Sequence, residues 1–150
     1  EKNQGKMMAI IMEEGVAHVY LVSSGTTKLK CKIEKSISKR KAFGGKTDKQ
    51  INKFFENIVQ QLEVHFNPSE NGHELLDSIK SVVIGSPGFY REHFHNYVKA
   101  IIEKNPKKST VLSDLMSKSI LAHTTSGYKH SLTEILQNKD IMKRMNEVGC

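Results

Sequence analysis

The hydrophobic positions in the first third of the chain fall in three short runs separated by turns. Residues 7–12 are wholly apolar. Residues 17–24 place Val19, Leu21 and Ser23 on one face and His18, Tyr20 and Val22 on the other, and residues 27–36 alternate between apolar and polar positions. In the third run the apolar side holds Leu29, Cys31 and Ile33, and the polar side holds Lys28, Lys30, Lys32 and Glu34. A period of two between glycine turns is typical of antiparallel strands. The pattern predicts a three-stranded meander whose last strand carries lysines on its outer face.

A helical period replaces the strand period after residue 48. The apolar positions then recur three or four residues apart, at Ile51, Phe54, Phe55, Ile58, Val59, Leu62 and Phe66. This spacing places them on one side of a helix. Thr47 or Asp48 is predicted as the N-cap, because short polar side chains accept hydrogen bonds from the first free N–H groups.

Strand-like and helix-like segments alternate in the rest of the chain. The strands are predicted at residues 79–84 and 119–124, and the helices at residues 89–104, 111–118, from 131 onward and at 142–148. Apolar runs of this length with turn residues at both ends are typical of buried strands. Ser131 and Glu134 have the spacing of a capping box, which predicts that a helix begins there.

The order of these elements predicts one α/β domain over residues 1–150. We expect a mixed five-stranded sheet with antiparallel first three strands, right-handed crossovers and helices on both faces. This order is that of a ribonuclease H-like fold. The chain begins at Glu1 rather than Met, and we expect it to be a segment of a longer protein.

Positive charge is concentrated in one part of the chain. The net charge is +7, and residues 28–53 hold ten Lys or Arg against two acids, Glu34 and Asp48. This local excess of eight positive charges favours a nucleic acid as partner, because phosphates attract lysine and arginine over long distances. The alternative is a solvated face that only keeps the protein soluble.

The centre of this window, SKRKAFGGKT at residues 38–47, matches a nucleotide-binding loop only in part. That loop needs a glycine five places before its second glycine, and Arg40 stands there. We therefore expect RNA contacts instead of nucleotide binding. The predicted RNA-binding residues are Lys35, Lys39, Arg40, Lys41, Phe43 and Lys46. Phe43 either stacks on a base or anchors the loop.

Residue types for catalysis or metal binding do not cluster in the sequence. A ribonuclease H-like nuclease needs carboxylates on its first strand to hold two metal ions, but residues 7–12 contain none, and Glu13 and Glu14 follow them. No Cys or His pair has zinc-ligand spacing, and no serine or cysteine lies in a nucleophile motif. The sequence predicts no catalytic residue, no metal site and no cofactor. With only Cys31 and Cys150, it also favours a reducing compartment, the cytoplasm.

The segment from Gly85 to Phe89 joins a predicted strand to a predicted helix. In a structural interpretation, Gly and Pro make a tight turn and Phe89 packs the helix onto the core. In a functional interpretation, the segment is a rigid contact at the carboxyl end of a strand, where α/β folds place many binding sites. The sequence leaves both interpretations open.

Three stretches together resemble the middle domain of pelota, a ribosome-rescue family related to the class-one release factor. They are MEEGVAHVYLV (12–22), GSPGFYREHF (85–94) and AHTTSGYKHSLTE (122–134), and the resemblance covers nearly the whole chain. It implies a factor that enters the A site of stalled ribosomes with a translational GTPase of the elongation factor 1-alpha-like class, in no-go and non-stop surveillance. A recycling ATPase then splits the subunits.

The resemblance also implies roles for particular residues. Pro87, Gly88 and Phe89 are expected to face the GTPase, and flanking domains outside these 150 residues are expected to read the decoding site and recruit the ATPase. Lys46 stands where the release factor has the glutamine of its Gly-Gly-Gln loop, and lysine cannot accept a hydrogen bond. Subunit dissociation without peptide release is therefore expected.

The expected macromolecular partners are the ribosome and ribosomal or transfer RNA. Neither a membrane nor DNA is expected as a partner. The alternative is a catalytic RNA-directed domain, either a peptidyl-tRNA hydrolase of release-factor type or an RNA endonuclease. The family has been linked to divalent metal, but no site for one is found in this sequence.

Overall fold

A computed structural model describes residues 5–37, 46–66, 76–107 and 110–148 of the chain. The five strands are β1 (Lys6–Glu13), β2 (Val16–Ser23), β3 (Thr26–Glu34), β4 (Ile79–Ser86) and β5 (Ser119–His123). The five long helices are α1 (Lys46–His65), α2 (Tyr90–Lys104), α3 (Thr110–Ser117), α4 (Lys129–Gln137) and α5 (Lys139–Val148). No helix in these ranges is both long enough and apolar enough to span a bilayer.

The strands form one sheet in the order β3-β2-β1-β4-β5. β1 pairs antiparallel with β2, and β2 pairs antiparallel with β3. β4 lies parallel to β1 on one side and to β5 on the other. The predicted mixed five-stranded sheet with an antiparallel first half is confirmed. Because β1, β4 and β5 run in one direction, their carboxyl ends meet at one edge of the sheet, which we call the carboxyl edge.

Helices cover both faces of the sheet, as the sequence predicted. The first face packs against α1, α2 and α3, and Phe54, Phe55 and Phe94 are its largest fully buried side chains on the helices. The rings of Phe55 and Phe94 meet edge to face with centroids 5.4 Å apart. The second face packs against α4 and α5 through Leu132, Ile135 and Met145. Burial of one such phenylalanine contributes about 1.5–3 kcal/mol, so these contacts dominate the stability of the domain.

The alternation predicted for β3 is wrong at its beginning. Cys31 pairs with Val19, but Leu29 pairs with Tyr20, so the register shifts by one residue and Lys30 is the additional residue. A β-bulge of this kind moves every side chain before it to the opposite face. Leu29 therefore lies on the second face, where it is 48% exposed, and not beside Cys31.

Both predicted helix caps are also wrong, because each helix begins before its predicted cap. α1 begins at Lys46, so Thr47 and Asp48 lie in its first turn. α4 begins at Lys129, and the hydroxyl of Ser131 accepts a hydrogen bond from the backbone N–H of Ser126 at 2.9 Å. Ser131 thus ties the preceding loop to the helix, and it does not cap the helix.

Candidate functional site

The β1–β2 turn and the β5–α4 loop are joined at the carboxyl edge by hydrogen bonds to one glycine. The backbone N–H of Gly127 donates to Glu13 Oε1 at 2.7 Å. His18 Nδ1 lies 2.7 Å from the carbonyl oxygen of Gly127, and because a carbonyl only accepts, Nδ1 carries the proton. We call these three residues the Gly127 clamp. They hold two segments together that are more than 100 residues apart in the chain, with separations of 114 and 109.

The corner between β4 and α2 is held by Arg91 and Ser86. Ser86 Oγ accepts a hydrogen bond from the backbone N–H of Arg91 at 2.8 Å. The guanidinium of Arg91 donates to the carbonyl oxygens of Ser86 at 2.9 Å and Gly88 at 2.6 Å. Gly88 has a φ of +59°, a left-handed conformation that glycine adopts at little cost. β4 runs through Ser86, so the turn begins at Pro87, later than the sequence indicated.

Phe89 lies at the tip of this corner and points away from the core. It is 68% exposed, and its ring stacks on His93 with centroids 6.4 Å apart. His93 also lines an open groove of about 480 Å³ between α1 and α2, together with Ile51, Phe55 and Tyr97. The structural interpretation, in which Phe89 packs the helix onto the core, is wrong. An exposed ring on a fixed corner is what a contact surface requires.

A further hydrogen bond connects the β4–α2 corner to the β1–β2 turn. The hydroxyl of Tyr90 donates a hydrogen bond to Glu14 Oε1 at 2.9 Å. Burial, together with the hydrogen bond and negative charge of Glu14, raises the pKa of Tyr90 well above its ordinary range. Tyr90 is therefore a neutral donor at every physiological pH. The exposed corner is held in place from both the sheet and the neighbouring turn.

The predicted RNA-binding residues lie mostly outside the described residues, which include none of Lys39, Arg40, Lys41 and Phe43. Lys46 is the first residue of α1. Lys35 directly follows β3, and its backbone N–H donates to the carbonyl oxygen of Gly15 at 2.9 Å. Gly15 belongs to the β1–β2 turn, so Lys35 lies at the carboxyl edge. Its role in binding RNA stays a prediction.

The same edge shows no arrangement for metal chemistry in the ranges that the structure describes, where no three His, Cys, Asp or Glu side chains are grouped to hold an ion. Glu134 accepts hydrogen bonds from the backbone N–H and the hydroxyl of Thr125 at 3.1 and 2.9 Å. These bonds lower the pKa of Glu134. They tie the β5–α4 loop to α4, which is a structural role.

No motif in the sequence pointed directly to the Gly127 clamp. No spacing rule connects Glu13, His18 and Gly127, because the contacts depend on which strands become neighbours. The one signal was indirect: the three stretches that carried the family resemblance are also the three segments that meet at the carboxyl edge.

Known proteins match almost the whole of this chain. The model of a family described as eRF1 domain 2 matches residues 6–147. "Protein pelota" of Drosophila melanogaster is 39% identical over 140 residues, covering 93% of this chain and 33% of its own length. "Protein pelota homolog" of Rattus norvegicus is 34% identical with the same coverage of this chain and 34% of its own. The chain thus spans about a third of the length of these curated relatives.

Solved structures of proteins named Dom34 and Pelota have the same fold as this chain. The structure of Dom34 from S. cerevisiae superimposes with a TM-score of 0.72 at 27% identity, covering 97% of this chain and 36% of Dom34. Pelota from Archaeoglobus fulgidus has the same fold, with a TM-score of 0.61 at 18% identity over 97% of this chain and 35% of its own. From the family model, the pelota relatives and this fold together, we conclude that the chain belongs to the eRF1 domain 2 family and is a middle domain of the pelota type.

Proposed function

We propose that this domain is the central domain of a ribosome-rescue factor that acts in no-go and non-stop mRNA surveillance in the cytoplasm. The factor enters the A site of stalled ribosomes with a translational GTPase and promotes subunit dissociation without peptide release. One observation carries the proposal: the three stretches that are similar to pelota converge at the carboxyl edge, where a fixed corner presents Phe89. Dom34, 27% identical, is described as a translation termination-like factor involved in RNA quality control and interacting with Hbs1.

The surface for the GTPase is proposed at Pro87, Gly88 and Phe89. Dom34 interacts with Hbs1, and the exposed ring of Phe89 is the largest apolar group at the corner of this domain. Arg91 and Ser86 fix the corner before binding, so little conformational entropy is lost on association. The groove beside His93 extends the same surface along α1 and α2.

Replacing Phe89 with alanine is expected to weaken GTPase binding by about tenfold or more, since buried aromatic anchors dominate interface energies. Stability should change by less than about 0.5 kcal/mol, because the side chain is mostly exposed. Calorimetric titration with the GTPase and thermal melting measure the two effects. Val64→Ala is the matched control, since Val64 is 66% exposed on α1. Equal GTPase affinity of both variants would remove Phe89 from the interface.

The RNA contacts are proposed at Lys35, Lys39, Arg40, Lys41 and Lys46, with Phe43 able to stack on a base. Phosphate contacts from these cations would position the domain without selecting a sequence. Ester hydrolysis is not proposed, because Lys46 cannot supply the hydrogen-bond acceptor of a glutamine. Recruitment of the ribosome-recycling ATPase is assigned to domains beyond these 150 residues.

The test uses Drosophila pelota in which the matched third is exchanged for this chain. The chimera is added to purified stalled ribosomes that carry peptidyl-tRNA, with the GTPase and the recycling ATPase present. Separated subunits with the peptide still on the tRNA are expected, as with unmodified Drosophila pelota. Free peptide that disappears when Lys46 is replaced would overturn the proposal and favour a hydrolase. Loss of splitting by a folded chimera would also contradict it.

A further inference from the structure

The second face of the sheet carries an exposed apolar surface at its β2–β3 end. The helices on this face, α4 and α5, pack against β1, β4 and β5. The described part of the chain has four exposed large hydrophobic side chains, Leu29, Val64, Phe89 and Tyr128. Two of the four belong to this surface: Leu29, which the bulge moves to the second face, and Tyr128, which lies over His18. An exposed apolar surface of this kind is a candidate contact site.

Three rings form a row across this surface. Tyr20 and His18 are two residues apart on β2, and their rings stack with centroids 5.9 Å apart and an angle of 17°. The ring of Tyr128 continues the row 5.4 Å from His18. Tyr20 and His18 are buried, whereas Tyr128 is 48% exposed. Two ordered rings therefore support an aromatic side chain whose outer side faces solvent.

Two lysines lie next to residues of this row in the sheet or along the chain. Lys32 lies directly across from His18 on β3. Lys129 follows Tyr128 and is exposed. A carboxylate is also nearby: Glu34 pairs with Lys32 at 3.3 Å, but both side chains are largely exposed, so the pair is weak in water and can be replaced by a phosphate.

We propose that this surface, made of Leu29, Lys32, Tyr128 and Lys129, binds single-stranded RNA, with a base stacked on Tyr128. Base stacking on an exposed ring combined with cations for the backbone is the usual design of single-strand binding, and any base can take part. A sheet face with exposed aromatics and lysines is also the kind of surface that binds splayed bases. A protein partner with an apolar surface would match Tyr128 and Leu29, but it would offer no anion to Lys32 and Lys129.

The proposed surface contains none of residues 38–47, and the proposal does not depend on a role in ribosome rescue. RNA binding by the 150-residue chain alone tests the proposal, so failure of the chimera would not contradict it. The probe is a short fluorescein-labelled single-stranded oligoadenylate, with its duplex as comparison. Binding is followed by fluorescence anisotropy at several salt concentrations.

Tyr128→Trp gives a direct readout of stacking, because the chain contains no tryptophan. Emission from the single indole should be quenched on titration with the oligoadenylate, with the same midpoint as the anisotropy. Tyr128→Ala should weaken binding by about tenfold, the value of one stacked base, and Tyr128→Phe should keep it within about twofold. Thermal melting of each variant separates lost binding from lost folding.

Two charge variants locate the phosphate contacts. Lys32→Glu should weaken RNA binding and lower the slope of log affinity against log salt concentration by about one. Lys104→Glu makes the same charge change at the end of α2 and should change RNA affinity by less than about twofold. Glu34→Gln removes the nearby carboxylate and should strengthen binding.

Three outcomes would overturn the proposal. One is unquenched indole emission from the Tyr128→Trp variant together with full binding by Tyr128→Ala. Another is equal weakening by Lys32→Glu and Lys104→Glu, which would mean attraction to net charge alone. The third is unchanged RNA binding by Tyr128→Ala together with lost binding of the GTPase, which would assign the surface to a protein partner.

Discussion

Replacing Gly127 with alanine is expected to lower the free energy of unfolding by about 3 kcal/mol, near the upper end of what overpacking costs. A Cβ atom at this position would lie 2.6 Å from the backbone nitrogen of Glu13 and 2.8 Å from the carbonyl carbon of Met12. Both atoms belong to the end of β1, where Met12 and Glu13 pair with Ala17 and Val16 of β2, so this backbone resists a shift. The loop must move instead, and it then loses the hydrogen bonds to Glu13 and His18.

The measurement is urea unfolding of the native chain and the variant, supported by thermal melting. A loss of this size in a 150-residue domain corresponds to roughly 6–12 °C in Tm. Gly88→Ala is the matched control: a Cβ at Gly88 meets nothing within 4 Å, and only the φ of +59° opposes it. That variant should lose about 1 kcal/mol, the cost of a left-handed conformation. Equal losses of unfolding free energy in the two variants would mean that the contact between the new Cβ at position 127 and β1 is relieved by shifts of neighbouring residues.

The fold was predictable because its strongest signals come from burial. β1 and β4 lie in the middle of the sheet with helices on both faces, so β1 is apolar from Met7 to Met12 and β4 from Val82 to Ile84. α1 packs one side against the sheet, so its buried residues recur with the helical period: Phe54, Phe55, Ile58, Val59 and Leu62. These patterns must exist in any sequence that forms such layers, and the element order then restricts the topology.

The errors in the fold have equally physical causes. The bulge in β3 adds one residue, Lys30, without changing the composition of the strand, so the two-residue period continues through it in the sequence. Ser131 and Glu134 have capping-box spacing, but α4 begins two residues earlier and both side chains bind the loop before it. Local spacing cannot reveal where a helix begins when tertiary contacts satisfy its first turn.

The candidate site was predictable only in its exposed parts. Pro87, Gly88 and Phe89 stood out as a break between strand and helix, but whether Phe89 lay inside or outside depended on packing. Glu13, His18 and Gly127 could not be connected, since their contacts arise from the strand order. The basic segment was evident from charge alone, and its part in binding stays a prediction because Lys39, Arg40 and Lys41 lie outside the described residues.

Reversing the charge of Lys39, Arg40 and Lys41 to glutamate is expected to weaken ribosome binding by roughly a hundredfold near physiological salt, because each lost phosphate contact also loses its counterion release. The change is made in the chimera with Drosophila pelota, and affinity is measured by co-sedimentation with stalled ribosomes over a salt titration. The plot of log affinity against log salt should become shallower by about two to three, one for each lost contact. Thermal melting of the chimera and of its variant separates lost binding from lost folding.

The matched control reverses three exposed lysines at the other end of the fold, Lys99, Lys104 and Lys107 on and after α2. Both triple variants change the net charge of the domain by the same amount, so they differ only in where the charge lies. If long-range attraction alone recruits the domain, the two variants lose equal affinity and the basic segment has no special role. If the segment contacts RNA, only its own variant changes the salt slope. Lys35 follows β3 beside Gly15, at the edge where Phe89 is presented, so a proposed RNA contact and the proposed GTPase contact lie at the same edge of the sheet.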